Sequence, residues 1–231
     1  MTKEKVILAW SGGKDSALAF YELSRKENIE VAALLTTTTE GYDRISMHGV
    51  RRDLLLEQVD SLGYPLEEIA IPQNCPNDVY ERRMHQALKK HYRKGIRTVV
   101  FGDLFLQEIR DYREERMSRI GMHCLFPLWG KSTVELAHQF IDLGFRAVVA
   151  CVDTTALSGE FSGREYDEDF IKDLPAEVDP CGENGEFHTF VYDGPIFSAP
   201  IQVRRGEKVL RDGRFCFCDL IQAGRASKAV M

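Results

Sequence analysis

The chain has 231 residues, 44% apolar and 29% charged, an ordinary balance with room for one or two domains and a sizeable core. No apolar run reaches bilayer-spanning length, and the charged stub and five apolar residues of MTKEKVILAW are too short for a signal-peptide core, so a cytoplasmic protein with no membrane partner is expected. A net charge of −6 argues against a protein built mainly to grip nucleic acid, while leaving room for a local basic channel.

The first half alternates. Val6–Trp10 reads as a buried strand, SGGKDS (11–16) follows it, and Ala17–Lys26 reads as a helix. Val31–Thr38 is a second strand, rich in β-branched residues. Val50–Leu62 has helical spacing and closes on Gly63, and Glu68–Ile71 is a short strand stopped by Pro72. Asn77–Lys94 is a long amphipathic helix with Asn77 as its expected cap. Thr98–Gly102 (strand), Leu106–Ile120 (helix) and Cys124–Leu128 (strand) complete this half.

The second half reads as a helix over Ser132–Leu143 and a strand over Ala147–Val152. A polar, glycine-containing stretch leads to DPCGENGEFHTF, and the tail has short apolar runs broken by turn residues, as in a β-hairpin or meander. The expected fold is α/β: a Rossmann-like parallel-sheet domain over 1–125 and a smaller α+β domain over 126–231. Six cysteines without a CxxC pair read as free thiols. Cys216 and Cys218 share a strand face and read as small core residues rather than as a zinc site, which needs more ligands.

Ligands of parallel α/β sheets sit beyond the carboxyl ends of the strands. That singles out SGGKDS, the stretch 39–48, and Gly102-Asp103. In SGGKDS, Gly12 and Gly13 let the backbone approach a ligand, the helix start offers free N–H groups, Lys14 adds charge, and Ser11 and Ser16 add hydroxyls. A phosphate is the natural occupant. The glycine spacing matches neither the NTPase P-loop nor the dinucleotide fingerprint.

SGGKDS resembles the PP-loop of the ATP pyrophosphatases. Together with FGDL (101–104), Arg110, Glu114, PLW (127–129) and CGENGEFHTF (181–190), almost the whole chain resembles the diphthine–ammonia ligase family. That resemblance implies a Rossmann-like (HUP-type) ATP-binding domain and a carboxylate–ammonia ligase that adenylates a carboxylate, releases pyrophosphate and transfers ammonia or an amine. It implies ATP with Mg²⁺ as cofactors, and as partners a carboxylate, such as diphthine on elongation factor 2, and ammonium. A homodimer is admitted as an assembly. A tRNA-modifying PP-loop enzyme and a non-catalytic ATP- or AMP-binding protein are the alternatives; the acidic charge and missing CxxC count against the first, the complete GEFHT element against the second.

On that basis Ser11, Gly12, Gly13, Lys14, Asp15, Ser16, Gly102 and Asp103 are expected to hold ATP. Asp15 and Asp103 are candidates for Mg²⁺, although Asp103 could instead cap the next helix. Lys14, Asp15, Glu186 and His188 are the catalytic candidates. His188 would act as a base or bind substrate; Glu186 would orient ammonium or a metal, or the loop is a structural corner. His48, Arg51, Arg110 and Glu183 are expected at the substrate. Arg110, Arg113, Arg116 and Arg119 drift around their helix at a spacing of three, and Arg110 can pair with Glu114 at i,i+4, so only Arg110 is kept. The 181–189 loop is expected to wall the cleft opposite SGGKDS, with Glu186 and His188 reaching the α-phosphate.

Overall fold

The computed structural model describes residues 3–45 and 49–223. In chain order the first half contains β1 (Glu4–Ala9), α1 (Lys14–Ser24), β2 (Ile29–Thr39), β3 (Arg44–Ile45), α2 (Arg52–Leu62), β4 (Leu66–Ile71), α3 (Asn77–Arg93), β5 (Thr98–Val100), α4 (Gln107–Ser118) and β6 (His123–Leu125). The second half contains α5 (Thr133–Asp142), β7 (Arg146–Asp153), a 3₁₀ turn (Gly159–Phe161), α6 (Glu168–Asp173), β8 (Phe187–Asp193), β9 (Val203–Arg211) and β10 (Phe215–Gln222).

The first sheet is Rossmann-like. Strand β1 lies between β2 and β5, all parallel; β4 pairs with β2 and β6 with β5, also parallel. The chain winds outward from β1 in one direction and then returns to wind in the other. The order therefore reverses between β1 and β5, and the crevice at such a reversal is where a ligand sits. SGGKDS follows β1 and Gly102-Asp103 follows β5, so both flank it. Val6, Ile7 and Leu8 are fully buried because helices cover both faces of the sheet.

The second sheet is four-stranded and antiparallel, ordered β8-β7-β10-β9. The expected tail hairpin is β9 and β10, joined by the three residues 212–214, with Asp212 (φ 53°) and Gly213 (φ 62°) left-handed and Arg214 N donating to Arg211 O (3.0 Å). A single hydrophobic cluster runs from β1 and α1 through Phe140 of α5 to β7 and β8. The two sheets thus share one core, with α1 packed between them. A separate cluster fills the opposite face of the first sheet under α3 and α4.

Three expectations are corrected. Helix α1 begins at Lys14, inside the glycine-rich stretch, with Gly13 as its cap and no capping side chain. Pro76, not Asn77, caps α3; Asn77 is already helical and donates to Glu81 one turn on (3.2 Å). The polar stretch 154–180 contains α6, capped by Asp167 accepting from Phe170 N (2.8 Å). Cys218 is buried in the core and Cys216 only partly, and no cluster of metal-ligating side chains occurs among the described residues. No helix among them is long and apolar enough to cross a membrane.

Candidate active site

The loop after β1 is held from beneath. Gly12 has φ +78°, and a Cβ there would lie 2.6 Å from Gln58 Oε1, so both conformation and space require glycine. Gln58 is fully buried. It accepts from Trp10 Nε1 (3.1 Å) and donates through Nε2 to Gly12 O (3.0 Å) and Val191 O (2.6 Å). Gly12 O also accepts from Val191 N (2.9 Å). Ser16 donates to Gly13 O (2.8 Å), and Ser11 donates to Ser16 Oγ (3.2 Å). Strand β8 of the second sheet is therefore bonded directly to the loop.

The first N–H of α1, on Lys14, donates to Thr189 Oγ1 (3.0 Å). The Lys14 side chain is buried. Its ammonium donates to both Asp15 carboxylate oxygens (2.9 Å each) and to the Cys181 carbonyl, and lies 5.6 Å from the Phe187 ring centroid. Burial is the largest influence and opposes its charge, but the charge and hydrogen bond of Asp15 together with Cys181 and Asp179 outweigh it and raise the pKa, so Lys14 is protonated. Burial in turn pushes the Asp15 carboxyl up, against the pull of Lys14.

Across the crevice, Asp103 pairs with Arg113 (2.7 Å), whose guanidinium lies 4.3 Å from the Phe101 ring centroid. A Cβ on Gly102 would come within 3.0 Å of the Asp15 backbone, so glycine lets the β5 loop press against α1. Glu183 accepts from Leu104 N (2.8 Å), which ties the second-sheet loop to the β5 loop. Burial, reinforced by the charges of Asp15 and Asp103, pushes the Glu183 carboxyl up to about 7. Burial, helped by Lys14, pushes His188 down to about 4, so its imidazole is neutral at pH 7.

Ser11, Gly13, Lys14, Asp15, Ser16, Gly102, Asp103, Glu183 and His188 line one cleft of about 340 Å³. Gly12 lies behind that lining as its pivot. Three candidates stand apart from it. Arg51 caps α2 and bonds Asp219 of β10 at 3.0 and 2.7 Å. Arg110 pairs with Glu114 (2.8 Å) and rests on Trp129, 4.7 Å from its centroid. Glu186 is buried with its carboxylate turned into its own loop, accepting from Asp179 N (3.1 Å) and Asn184 Nδ2 (2.9 Å). His48 lies outside the described residues.

Sequence reasoning passed over Arg113, Gln58 and Thr189. Arg113 was set aside with its helix, because the Asp103 that claims it lies beyond any intrahelical spacing. Gln58 carries no local signal. Thr189 stood within the quoted GEFHTF stretch, beside His188.

Two family models match the chain: the diphthamide synthase N-terminal domain over residues 4–124 and its C-terminal domain over residues 132–224. The chain belongs to the diphthamide synthase family. Among curated proteins it is similar to the diphthine–ammonia ligase of Schizosaccharomyces pombe, 27% identical over 235 residues, covering 92% of this chain and 38% of that protein. The diphthine–ammonia ligases of Rattus norvegicus (26% over 180 residues) and Homo sapiens (25% over 178) each align with 74% of this chain. The chain spans 38% of the length of the yeast relative and 66% of the two mammalian ones. In this diphthamide synthase family member the first model covers the sheet that carries SGGKDS, and the second covers the sheet that carries His188 and Thr189.

Proposed function

We propose that this chain is an ATP-dependent carboxylate–ammonia ligase that makes an acyl adenylate in the cleft between its two sheets. The observation that carries this is the junction itself: Lys14 N on Thr189, Gly12 O on Val191 and the Lys14 ammonium on the Cys181 carbonyl. A phosphate-binding loop and a water-excluding second wall are thereby one rigid unit. Residues 1–125 hold ATP, and 126–231 supply the acceptor side.

Ser11, Gly13, Lys14 and Ser16 would bind the β,γ phosphates through the helix start, hydroxyls and charge. The carboxylate oxygen attacks the α-phosphorus, the bond to the β-phosphate bridging oxygen breaks, and pyrophosphate leaves. Ammonia then attacks the acyl carbon and AMP leaves. The residues fit Mg²⁺: Asp15 and Asp103 face one cleft with hard oxygen donors, and Mg²⁺ uses one or two carboxylates plus phosphate oxygens rather than a preformed cage. When bound it would neutralise charge on the phosphates. Positioning and charge neutralisation suffice for such a transfer.

Ammonium must lose a proton before it can attack. Glu183, with its carboxyl near 7, suits that task better than His188, which is a neutral hydrogen-bonding group at that pH. Glu186 serves as a positioning residue that fixes the 179–186 loop. Diphthine is the acceptor the curated relatives' names suggest, and the cytoplasm is the compartment such a reaction fits.

The test supplies ATP, Mg²⁺, ammonium and a panel of carboxylates, one of them ¹⁸O-labelled, and follows phosphorus NMR. The expected products are AMP and pyrophosphate, with one labelled oxygen in the AMP. ADP and phosphate would overturn the proposal.

A further inference from the structure

The polar, glycine-containing stretch ahead of DPCGENGEFHTF delivers one large buried side chain to the back of the cleft. Residues 163–166 run beside β7: Gly163 N donates to Val149 O (2.8 Å) and Tyr166 N to Ala147 O (2.8 Å). These bonds fix the backbone of Tyr166, which is 2% exposed. Its ring packs on those of Phe140, Phe170 and Phe187, at centroid distances of 5.5, 5.3 and 6.0 Å. It lies outside the lining of the cleft.

Phenylalanine would serve such packing equally well, and a hydroxyl buried there needs a partner. Tyr166 Oη donates to Pro180 O (2.7 Å). Pro180 and Cys181 are the middle residues of a tight turn, closed by Gly182 N on Asp179 O (2.7 Å) and by Glu183 N on Asp179 Oδ2 (2.9 Å). A peptide unit is planar, so a bond to Pro180 O fixes the plane that leads into Cys181. The next carbonyl, Cys181 O, accepts from the Lys14 ammonium. The residue that leaves the turn, Glu183, accepts from Leu104 N (2.8 Å). The Tyr166 ring also stands 5.9 Å from the Lys14 ammonium, within range of cation–π attraction.

We infer that Tyr166 is a positioning residue: through the 179–183 turn it sets both the carbonyl that holds the Lys14 ammonium and the carboxylate that meets the β5 loop, without itself touching nucleotide or acceptor. Its consequence for turnover rests on the ligase function proposed above; its hold on Lys14 rests on the bonds alone.

Tyr166→Phe removes the hydroxyl and keeps the ring. Phe140→Leu loosens the same core with a side chain that makes no hydrogen bond to the turn, and is the matched control. In the full chain labelled with ¹⁵N-lysine, the Lys14 ammonium is buried and bonded to Asp15 and Cys181. It should give a slowly exchanging NMR signal, identified by its loss in Lys14→Met. Losing a buried hydrogen bond should speed its proton exchange with water about tenfold in Tyr166→Phe, against little change in Phe140→Leu. With the acceptor that the wild type turns over, kcat should fall about tenfold in Tyr166→Phe alone. KM for ATP should change little, because Gln58 and Ser16 hold the phosphate loop independently. Unaltered exchange in Tyr166→Phe, equal acceleration in the two variants, or faster exchange with kcat intact would each overturn the inference and leave Tyr166 a core residue. A wild type without turnover would count against the ligase reading, and the exchange rates would still decide whether Tyr166 holds Lys14.

Discussion

The two walls of the cleft are built on opposite principles. The first-sheet wall is local. Six consecutive residues between β1 and α1 supply the turn, hydroxyls, charge and helix start, and most of their mutual bonds join residues five or fewer positions apart. The second-sheet wall is assembled from single residues of 181–191 whose partners are remote: Thr189 binds Lys14 across 175 positions and Val191 binds Gln58 across 133. A local wall can be recognised without its fold. A remote wall exists only once the fold has formed, and the bonds that make it also hold the first wall in place.

Breaking the local wall has the largest expected effect. Lys14→Met keeps the bulk but removes the ammonium from Asp15 and Cys181. Turnover should fall about 100- to 1000-fold, as when one preorganised donor is lost from a charged site. Because an unpaired Asp15 would also weaken the fold, Lys14→Met/Asp15→Asn serves as the control. It should melt near the wild type and remain inactive in a pyrophosphate-release assay. Turnover within tenfold of wild type in either variant would mean that Lys14 is structural only.

The second effect is a pH dependence hidden in the wild type. His188 is lowered to about 4 in the fold, by burial and then by Lys14. The unfolded chain therefore binds the extra proton first, and stability is lost as pH falls from about 6.5 to 4, by about 3 kcal/mol. Glu183 is raised to about 7, by burial and then by the neighbouring carboxylates. The folded chain binds that proton first, and stability is gained as pH falls from about 7 to 4.5, by a smaller amount because solvent reaches part of Glu183 and screens its charge. In nucleotide-free protein without Mg²⁺ the two oppose each other. Urea midpoints at pH 7 and pH 5 should shift little in the wild type, fall with acid in Glu183→Gln, and rise with acid in His188→Asn. Parallel behaviour of the two variants would contradict both assignments.

What could be read beforehand follows the same division. The strand–helix alternation, the hairpin around Asp212-Gly213 and the glycine-rich turn between β1 and α1 are written in neighbouring residues, and the structure has each of them. Helix α6 was hidden because a one-and-a-half-turn segment in a polar stretch has too few positions to show a period. The short β3 was hidden because two residues carry no alternation. Gln58 looked like any polar residue of α2, yet its side chain spans the two sheets. Arg110 and Arg113 were ranked by intrahelical spacing alone, which cannot see an aspartate arriving from the end of β5.

A third variant weakens the joint between the walls. Gln58→Leu keeps approximate size but leaves Trp10 Nε1 without its acceptor and Val191 O with one donor fewer. Buried groups left this way cost about 2 kcal/mol, so Tm should drop by roughly 6 °C. If the joint also positions the loop, KM for ATP should rise severalfold with less change in kcat. A lower Tm with unaltered KM would make Gln58 a core residue and nothing more.

The smallest effect sharpens the comparison most, because it pits two arginines of one helix against each other. Arg113 faces the cleft, is stacked on Phe101 and neutralises Asp103. Arg110, one turn earlier, pairs with Glu114 and lies on Trp129 outside the cleft lining. An exposed i,i+4 pair is worth about 0.3–0.5 kcal/mol and an exposed cation–π contact about as much. Arg110→Ala should therefore change kcat/KM less than twofold. Arg113→Ala leaves Asp103 in the cleft without its cation and should lower kcat/KM about tenfold, with partial rescue by Arg113→Lys, which restores charge but not the paired geometry. Steady-state kinetics on the three variants decides the matter: if Arg110→Ala proves the more damaging, the working cleft extends over Trp129 and the acceptor enters from the α4 side.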